Sequence, residues 1–402
     1  MTMKNKIPIV FLVLLAFPFG KTEAQLQLTE PEAIELALQY HPSVKAAALQ
    51  SRQADVLKGS AADWPAARLF QHTAADPDFG LFGTVSFGVQ QDFPSVKMTR
   101  ANRLYYERLK ARSAAFASLT RQEVIRQVRE IYHHLSYLEA KKKLFTSLDS
   151  VYNAVAQTAQ LRYETGETSL AEKLASEDRA GQIALAAQTV SHEIEFDRLV
   201  LAQLLGVEQE VEPIVEPIHE ATFSLEDTSR LSSATWAALY RSEVALAQAE
   251  YEKQAASLAP AFSTSVFGQY LGNGDWYPGW EIGVNIPIAK KSLNARKDAA
   301  QVGVEAAKAQ YQQAYLQKKN ALAHLLHEQE KYQISVRYYH EKGAGYAREL
   351  LQNGELNYRL GELSYADFAM MLEQATRIEL QYLDDLLGLN QTLIELEVLT
   401  AE

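Results

Sequence analysis

The sequence predicts a mainly α-helical chain with a small β part, built as a tandem duplication of long-helix hairpins. A short motif occurs twice. The first copy is Arg162-Tyr163-Glu164-Thr165-Gly166-Glu167-Thr168-Ser169-Leu170-Ala171-Glu172, and the second is Leu356-Asn357-Tyr358-Arg359-Leu360-Gly361-Glu362-Leu363-Ser364-Tyr365-Ala366-Asp367. Gly166 and Gly361 stand 195 residues apart, as do Pro65 and Pro260, and Gly88 and Gly283. Three anchors at one spacing mark a repeated unit. Around them, apolar residues keep three-to-four spacing over stretches longer than a globular helix, broken by two short runs of period two.

The N-terminus reads as a secretory signal over residues 1–24. Lys4 and Lys6 precede the apolar run Ile7 to Phe19, and Thr22-Glu23-Ala24 offers a small-residue cleavage site before Gln25. That run is too short to span a bilayer comfortably, and no later stretch reaches the ~20 apolar residues of a membrane helix. The first repeat spans 25–207. Thr29-Glu30-Pro31-Glu32 has the form of a capping box with Pro in the first turn. Ala33, Ile34, Ala37 and Leu38 then form an apolar face that Pro42 interrupts. A second helical run continues to about Asp63, and Trp64-Pro65 ends it.

A strand pair is expected over about 67–93. Val85, Phe87 and Val89 alternate with small or polar groups, and Asp76-Pro77-Asp78 with Gly80 marks the turn. From Ser95 to Leu161 the pattern is helical, with Val124, Val128, Ile131, Leu135 and Leu138 on one face. Such a helix is about 100 Å long at 1.5 Å per residue, the scale of a coiled coil or helical barrel wall. The first hairpin tip, about 162–168, follows. Gly166 supplies a left-handed turn, and Thr168, or Ser364 in the second copy, is placed to cap the next helix. That helix runs from Leu170 to Leu205 and stops at Gly206-Val207.

Residues 208–230 hold Pro213 and Pro217 and read as a linker between repeats. The second repeat spans 231–402. A helix from Leu231 to Leu258 ends at Pro260, and a strand pair follows over about 261–288 with Gly272 to Gly279 as its loop. Trp280, Ile282, Val284, Ile286 and Ile288 share one face. A second long helix runs from Lys290 to about Gln352, the second tip covers about 357–364, and Leu363 to Thr400 closes the chain.

Formal net charge is -11, and the signal region carries net +2, so the remainder is more acidic still. That balance argues against a nucleic-acid surface. Cys is absent, which removes disulfides, thiolate metal sites and a Cys nucleophile. No phosphate loop, nucleophile elbow, metalloprotease helix or dinucleotide fingerprint is present, so no enzyme is expected.

Four strands cannot close into a barrel, and open strand edges are not tolerated in lipid. Yet each strand is about the 9–11 residues of a tilted membrane strand, and Trp276, Tyr277 and Trp280 cluster where an interfacial aromatic girdle would sit. The simplest closure is several copies each lending four strands. The alternative is a small sheet capping a soluble helical bundle.

At this point the chain resembles the TolC-like outer-membrane efflux channels. Leu28-Thr29-Glu30-Pro31-Glu32-Ala33-Ile34-Glu35-Leu36-Ala37-Leu38-Gln39-Tyr40-His41-Pro42 resembles that family's opening helix, with His41 where Asn is usual. Val89-Gln90-Gln91-Asp92-Phe93-Pro94 and Gly283-Val284-Asn285-Ile286-Pro287-Ile288 resemble its strand-to-helix crossings, and the twin motifs its periplasmic tips. The crossings are most similar to the heavy-metal, CusC/CzcC-type branch. The resemblance implies a homotrimer with a 12-stranded β-barrel in outer-membrane lipid, four strands per chain, continuous with a trimeric α-helical barrel in the periplasm. It also implies a periplasmic adaptor (membrane fusion protein) and an inner-membrane resistance-nodulation-division (RND) pump as partners.

Under that resemblance Asp367 and Glu172 are candidates for an acidic ring at the tunnel mouth, which would draw cations. The family's second acid, three residues beyond Asp367, is Met370 here. As ordinary first-turn acids, both carboxylates would favour the helix dipole instead. Arg162, Gly166, Tyr358 and Gly361 are candidates for tip shape and adaptor docking, although Arg162 has Glu164 and Glu167 within reach for surface pairing. His133-His134, His324, His327 and Met370-Met371 suggest metal contact, but no third ligand is set by spacing, so no metal site or cofactor is assigned. The expected function is a passive trimeric conduit exporting heavy-metal cations, with drug efflux or type I secretion as alternatives. A soluble periplasmic coiled-coil scaffold is the reading from another class.

Overall fold

The structure, a computed structural model, describes residues 26–76, 80–209, 211–221, 231–271 and 275–401. The signal segment, the turn at 77–79, linker residues 222–230 and the loop residues 272–274 lie outside the described residues. Helices α1 (Glu30–Tyr40) and α2 (Pro42–Val56) meet at His41. Glu32 accepts from the Thr29 backbone N–H at 2.9 Å and from its hydroxyl at 2.7 Å, so the capping box forms. His41 Nδ1 accepts the Ser43 N–H at 3.2 Å, the contact an Asn oxygen makes at an N-cap. The last six residues before Asp63, Leu57–Ala62, tighten into a 3₁₀ turn rather than continuing the α-helix.

Helix α3 (Val96–Glu164) is 69 residues long, and α4 (Leu170–Leu205) returns beside it. In the second half α5 (Thr235–Ala256) precedes α6 (Lys290–Tyr338), which runs through a π turn at Tyr339–Gly343 into α7 (Ala344–Arg359). The wall expected to end near Gln352 therefore extends to Arg359. Helix α8 (Tyr365–Thr400) returns beside it, starting two residues later than expected. Helices α4 and α8 are each 36 residues long, and their first and last residues are 195 apart. Contacts arrange the helices as four rods: α2 and α4, then α3, then α5 and α8, then α6 and α7.

The linker contributes structure of its own. Its strand β4 (Val211–Pro213) pairs in parallel with β1 (Leu26–Leu28), tying the middle of the chain to its beginning. Strands β2 (Arg68–Asp76), β3 (Gly80–Phe93), β5 (Ala261–Leu271) and β6 (Trp276–Asn285) form one antiparallel sheet in that order. The two strand pairs join through β3 and β5, with Phe93 opposite Phe262 and Thr84 opposite Leu271. Pairing stops at Asn285, so Ile286 and Ile288 lie beyond the strand that was expected to contain them. Pro287 follows at once; it has no N–H to donate to a ladder.

Candidate functional site

Two regions concentrate the functional candidates: the paired tips and the sheet. Each tip turns on a glycine at φ 77, Gly166 or Gly361, a backbone region that side-chain-bearing residues rarely adopt. Behind each glycine a serine caps the returning helix. Ser169 Oγ accepts the Glu172 N–H and Ser364 Oγ accepts the Asp367 N–H, both at 3.2 Å. The cap of α4 is thus Ser169 and not Thr168, because the Ser169 hydroxyl is the one that receives a first-turn N–H, that of Glu172. Thr168 instead donates its hydroxyl to Glu172 Oε2 at 2.5 Å.

The tips are locked to one another. Arg162 Nη2 donates to the Tyr358 carbonyl at 3.0 Å, and its guanidinium lies 4.9 Å from the centre of the Tyr358 ring. The expected surface pairing of Arg162 with Glu164 or Glu167 gives way to this contact. Tyr358 is buried, and its hydroxyl donates to Glu172 Oε1 at 3.2 Å. Burial, with the Glu172 carboxylate beside it, pushes the Tyr358 hydroxyl up to about 12, so it stays a donor at any physiological pH. Phe368 stacks on the same ring at 4.9 Å, a partner that the sequence reading did not single out although its spacing from Tyr365 and Leu372 is helical.

The two acids therefore differ. Glu172 is half-buried and bonded across the hairpins, whereas Asp367 is exposed and bonded only locally, to the Ser364 hydroxyl at 2.7 Å. The histidines are scattered. His133 meets Asn390 at 3.2 Å, His134 meets Asp197 at 2.6 Å, and His324 and His327 are exposed on α6. Met370 is exposed and Met371 half-buried on α8. Among the described residues no three His, Asp or Glu are grouped to hold a metal ion.

The sheet has two unlike faces. Leu69, Phe87, Val89, Phe262, Val266, Trp276, Trp280, Ile282 and Val284 fall on one face by register, and each is 46–80 % exposed. Ser86, Gln90, Asp92, Ser263, Ser265, Glu281 and Asn285 fall on the other. Ser86, Ser263 and Ser265 are buried there, so the polar face is the crowded one. Arg68 bonds Gln90 at 2.7 Å, and Gln90 bonds Asp92 at 3.0 Å, along the same face. Trp276 and Trp280 lie on the apolar face, but Tyr277 lies on the polar one, because neighbours on a strand alternate. One row across the polar face reads Phe70, Gly88, Phe267, Gly279, and a Cβ on Gly88 or Gly279 would come within 2.6 Å of a neighbouring phenylalanine. Among the described residues no helix is long and apolar enough to cross a membrane.

This arrangement of long helical hairpins and a four-stranded sheet superposes on solved outer-membrane channels. The outer-membrane protein VceC from Vibrio cholerae superposes with a TM-score of 0.75 over 92 % of this chain and 95 % of its own, at 17 % identity. The outer-membrane channel OprN gives 0.79 over 92 % and 89 % at 17 % identity, and CusC, a transmembrane channel, gives 0.76 over 92 % and 91 % at 14 % identity. No protein-family model and no curated protein sequence matches the chain. The likeness is one of fold.

Proposed function

We propose that this chain is the outer-membrane channel component of a tripartite efflux system: a member of the TolC-like family that works as a passive homotrimeric conduit. The observation that carries this reading is a sheet open at both edges with an exposed apolar face. Among the described residues, strands β2 and β6 have one partner each, and open edges are untenable in lipid unless further strands complete them. Three copies pairing β6 of one with β2 of the next close a ring of twelve strands, apolar outside and polar inside.

The helices have the same incompleteness. Exposed large apolar side chains run along the outer rods, with Leu49 and Val56 on α2, Leu185, Phe196 and Leu199 on α4, and Val302, Leu316 and Ile334 on α6. On the central rods, the described ones are only Val96, Leu161 and Tyr163 at the ends of α3 and Met370 near the start of α8. Burying the outer-rod side chains between copies closes a tube below the barrel. The repeats, 25–207 and 231–402, then alternate around it. Energy comes from an inner-membrane RND pump reached through a periplasmic adaptor at the tips.

Gating falls to the tips. Tyr358, Arg162 and Glu172 hold the two hairpins of one protomer together, in addition to any contact between protomers near Gly166 and Gly361. An adaptor favours the splayed state to the extent that it binds that state better. Asp367, exposed beside the tip, supplies an acidic ring at the mouth. Heavy-metal cations are the proposed cargo, on the resemblance of the strand-to-helix crossings to the CusC/CzcC branch and on the acidity at Asp367. The test is the mass of the detergent-extracted protein and its conductance in a planar bilayer. A trimer that conducts supports the conduit. A monomer that dissolves without detergent removes it and leaves the periplasmic scaffold.

A further inference from the structure

The segment between the repeats is clasped to the helical wall by one buried amide. Asn390 on α8 has no exposed surface. Its Oδ1 accepts the Ala221 N–H at 2.9 Å, and its Nδ2 donates to the His219 carbonyl at 2.8 Å. Those two backbone groups leave the amide a single orientation, since an N–H cannot accept and a carbonyl cannot donate. The remaining Nδ2 proton points to His133 Nδ1, 3.2 Å away on α3. His133 Nδ1 must therefore be bare, with the ring neutral and its proton on Nε2. A second proton would set an N–H against an N–H in a buried place.

We propose that His133, Asn390 and residues 214–221 form an acid-sensitive clasp, which holds this segment on α3 and α8 while His133 is neutral and releases it when His133 takes a proton. The clasp borders a polar cavity of about 380 Å³. Its titratable and charged neighbours are Glu30 on α1, Arg129 and Tyr132 on α3, Glu216 and His219 on the segment, and Glu397 on α8. Arg129 bridges Glu397 at 2.6 Å and Glu30 at 3.4 Å, so its charge is shared between two carboxylates. Burial, then His219 and Arg129, hold the His133 imidazole below its ordinary value. Burial pushes the Glu30 carboxyl up.

The signs oppose one another. A histidine depressed in the clasped state stabilises the clasp above its free value of about 6.5, and that stability is lost as pH falls below it. A raised carboxyl favours the clasped state as pH falls, so Glu30 does not mimic the effect.

The experiment is hydrogen exchange at the Ala221 amide in the full chain, expressed as a protection factor so that intrinsic exchange cancels. Between pH 7.5 and 5.5 protection should drop about tenfold, the ratio expected when only the released state binds the proton. His133→Asn keeps an acceptor near the Nδ1 position and cannot titrate, so it should flatten the profile. If Asn fails to hold the segment at pH 7.5, the unmodified chain decides alone. Protection that does not change with pH in the unmodified chain overturns the proposal. So does a pH dependence that survives His133→Asn, or one abolished by Glu216→Gln or His219→Gln with His133 intact. The clasp stands independently of the channel reading.

Discussion

Tyr358 donates a bond to Glu172, and its ring also meets the Arg162 guanidinium, Phe368 and Tyr365. Removing only the hydroxyl isolates the first. Tyr358→Phe leaves Glu172 with Thr168 alone and should cost about 1.5–3 kcal/mol of tip closure, the range for a bond to a charged group. If the tips gate the conduit, its resting conductance in a bilayer should rise, while the yield of assembled protein stays the same. Asp367 behaves differently because nothing across the tip holds it. Asp367→Asn should keep the cap, since the Ser364 hydroxyl still finds an oxygen, and should lower cation preference read as a reversal potential. The exposed carboxylate should dominate selectivity over Glu172, whose charge is engaged by two hydroxyls.

At the scale of elements, glycine is required for two distinct reasons, one at a tip turn and one inside the sheet. Gly166 has open space around it and is required only by its φ of 77, so Gly166→Ala should cost about 1 kcal/mol in chemical denaturation. Gly88 and Gly279 are required by space, because Phe70 and Phe267 lie over them. Gly279→Ala should push Phe267 off the sheet and lower the denaturation midpoint more than Gly166→Ala does. The π turn at Tyr339–Gly343 had no counterpart in the sequence reading. Its wider turn lets Tyr339 stack on Tyr382 at 3.7 Å and bond Glu379 at 2.7 Å, with Gly343 buried beneath. Those are partners on α8 about forty residues away in sequence, which helical periodicity cannot register.

For the whole molecule, the faces of the sheet make the sharpest test. Val266→Lys puts a charge on the apolar face and should cost roughly 1–4 kcal/mol, set by its depth in the bilayer, visible as lost trimer in the outer-membrane fraction. Gln269→Lys, on the opposite face, should assemble normally. A soluble sheet cap would show no such difference between the faces.

The helix hairpins, the strand alternation and the two tip glycines were legible in the sequence because each is a local pattern: a period, a capping residue, a left-handed turn. The capping box at Thr29 and the limits of α4 could be read for that reason. Other features needed the folded chain. The union of β3 with β5 places Phe93 opposite Phe262, far apart in sequence and with no local signal to pair them. Arg162 chooses Tyr358 over two nearer glutamates because only folding brings a carbonyl and a ring together beside it. Tyr277 parts from Trp276 and Trp280 because its face follows from register. Sequence alone determined which stretches are rods, strands and turns, since those depend on neighbours along the chain; tertiary structure decided which of them touch and which face each presents, since burial and directional bonding arise only when distant segments meet.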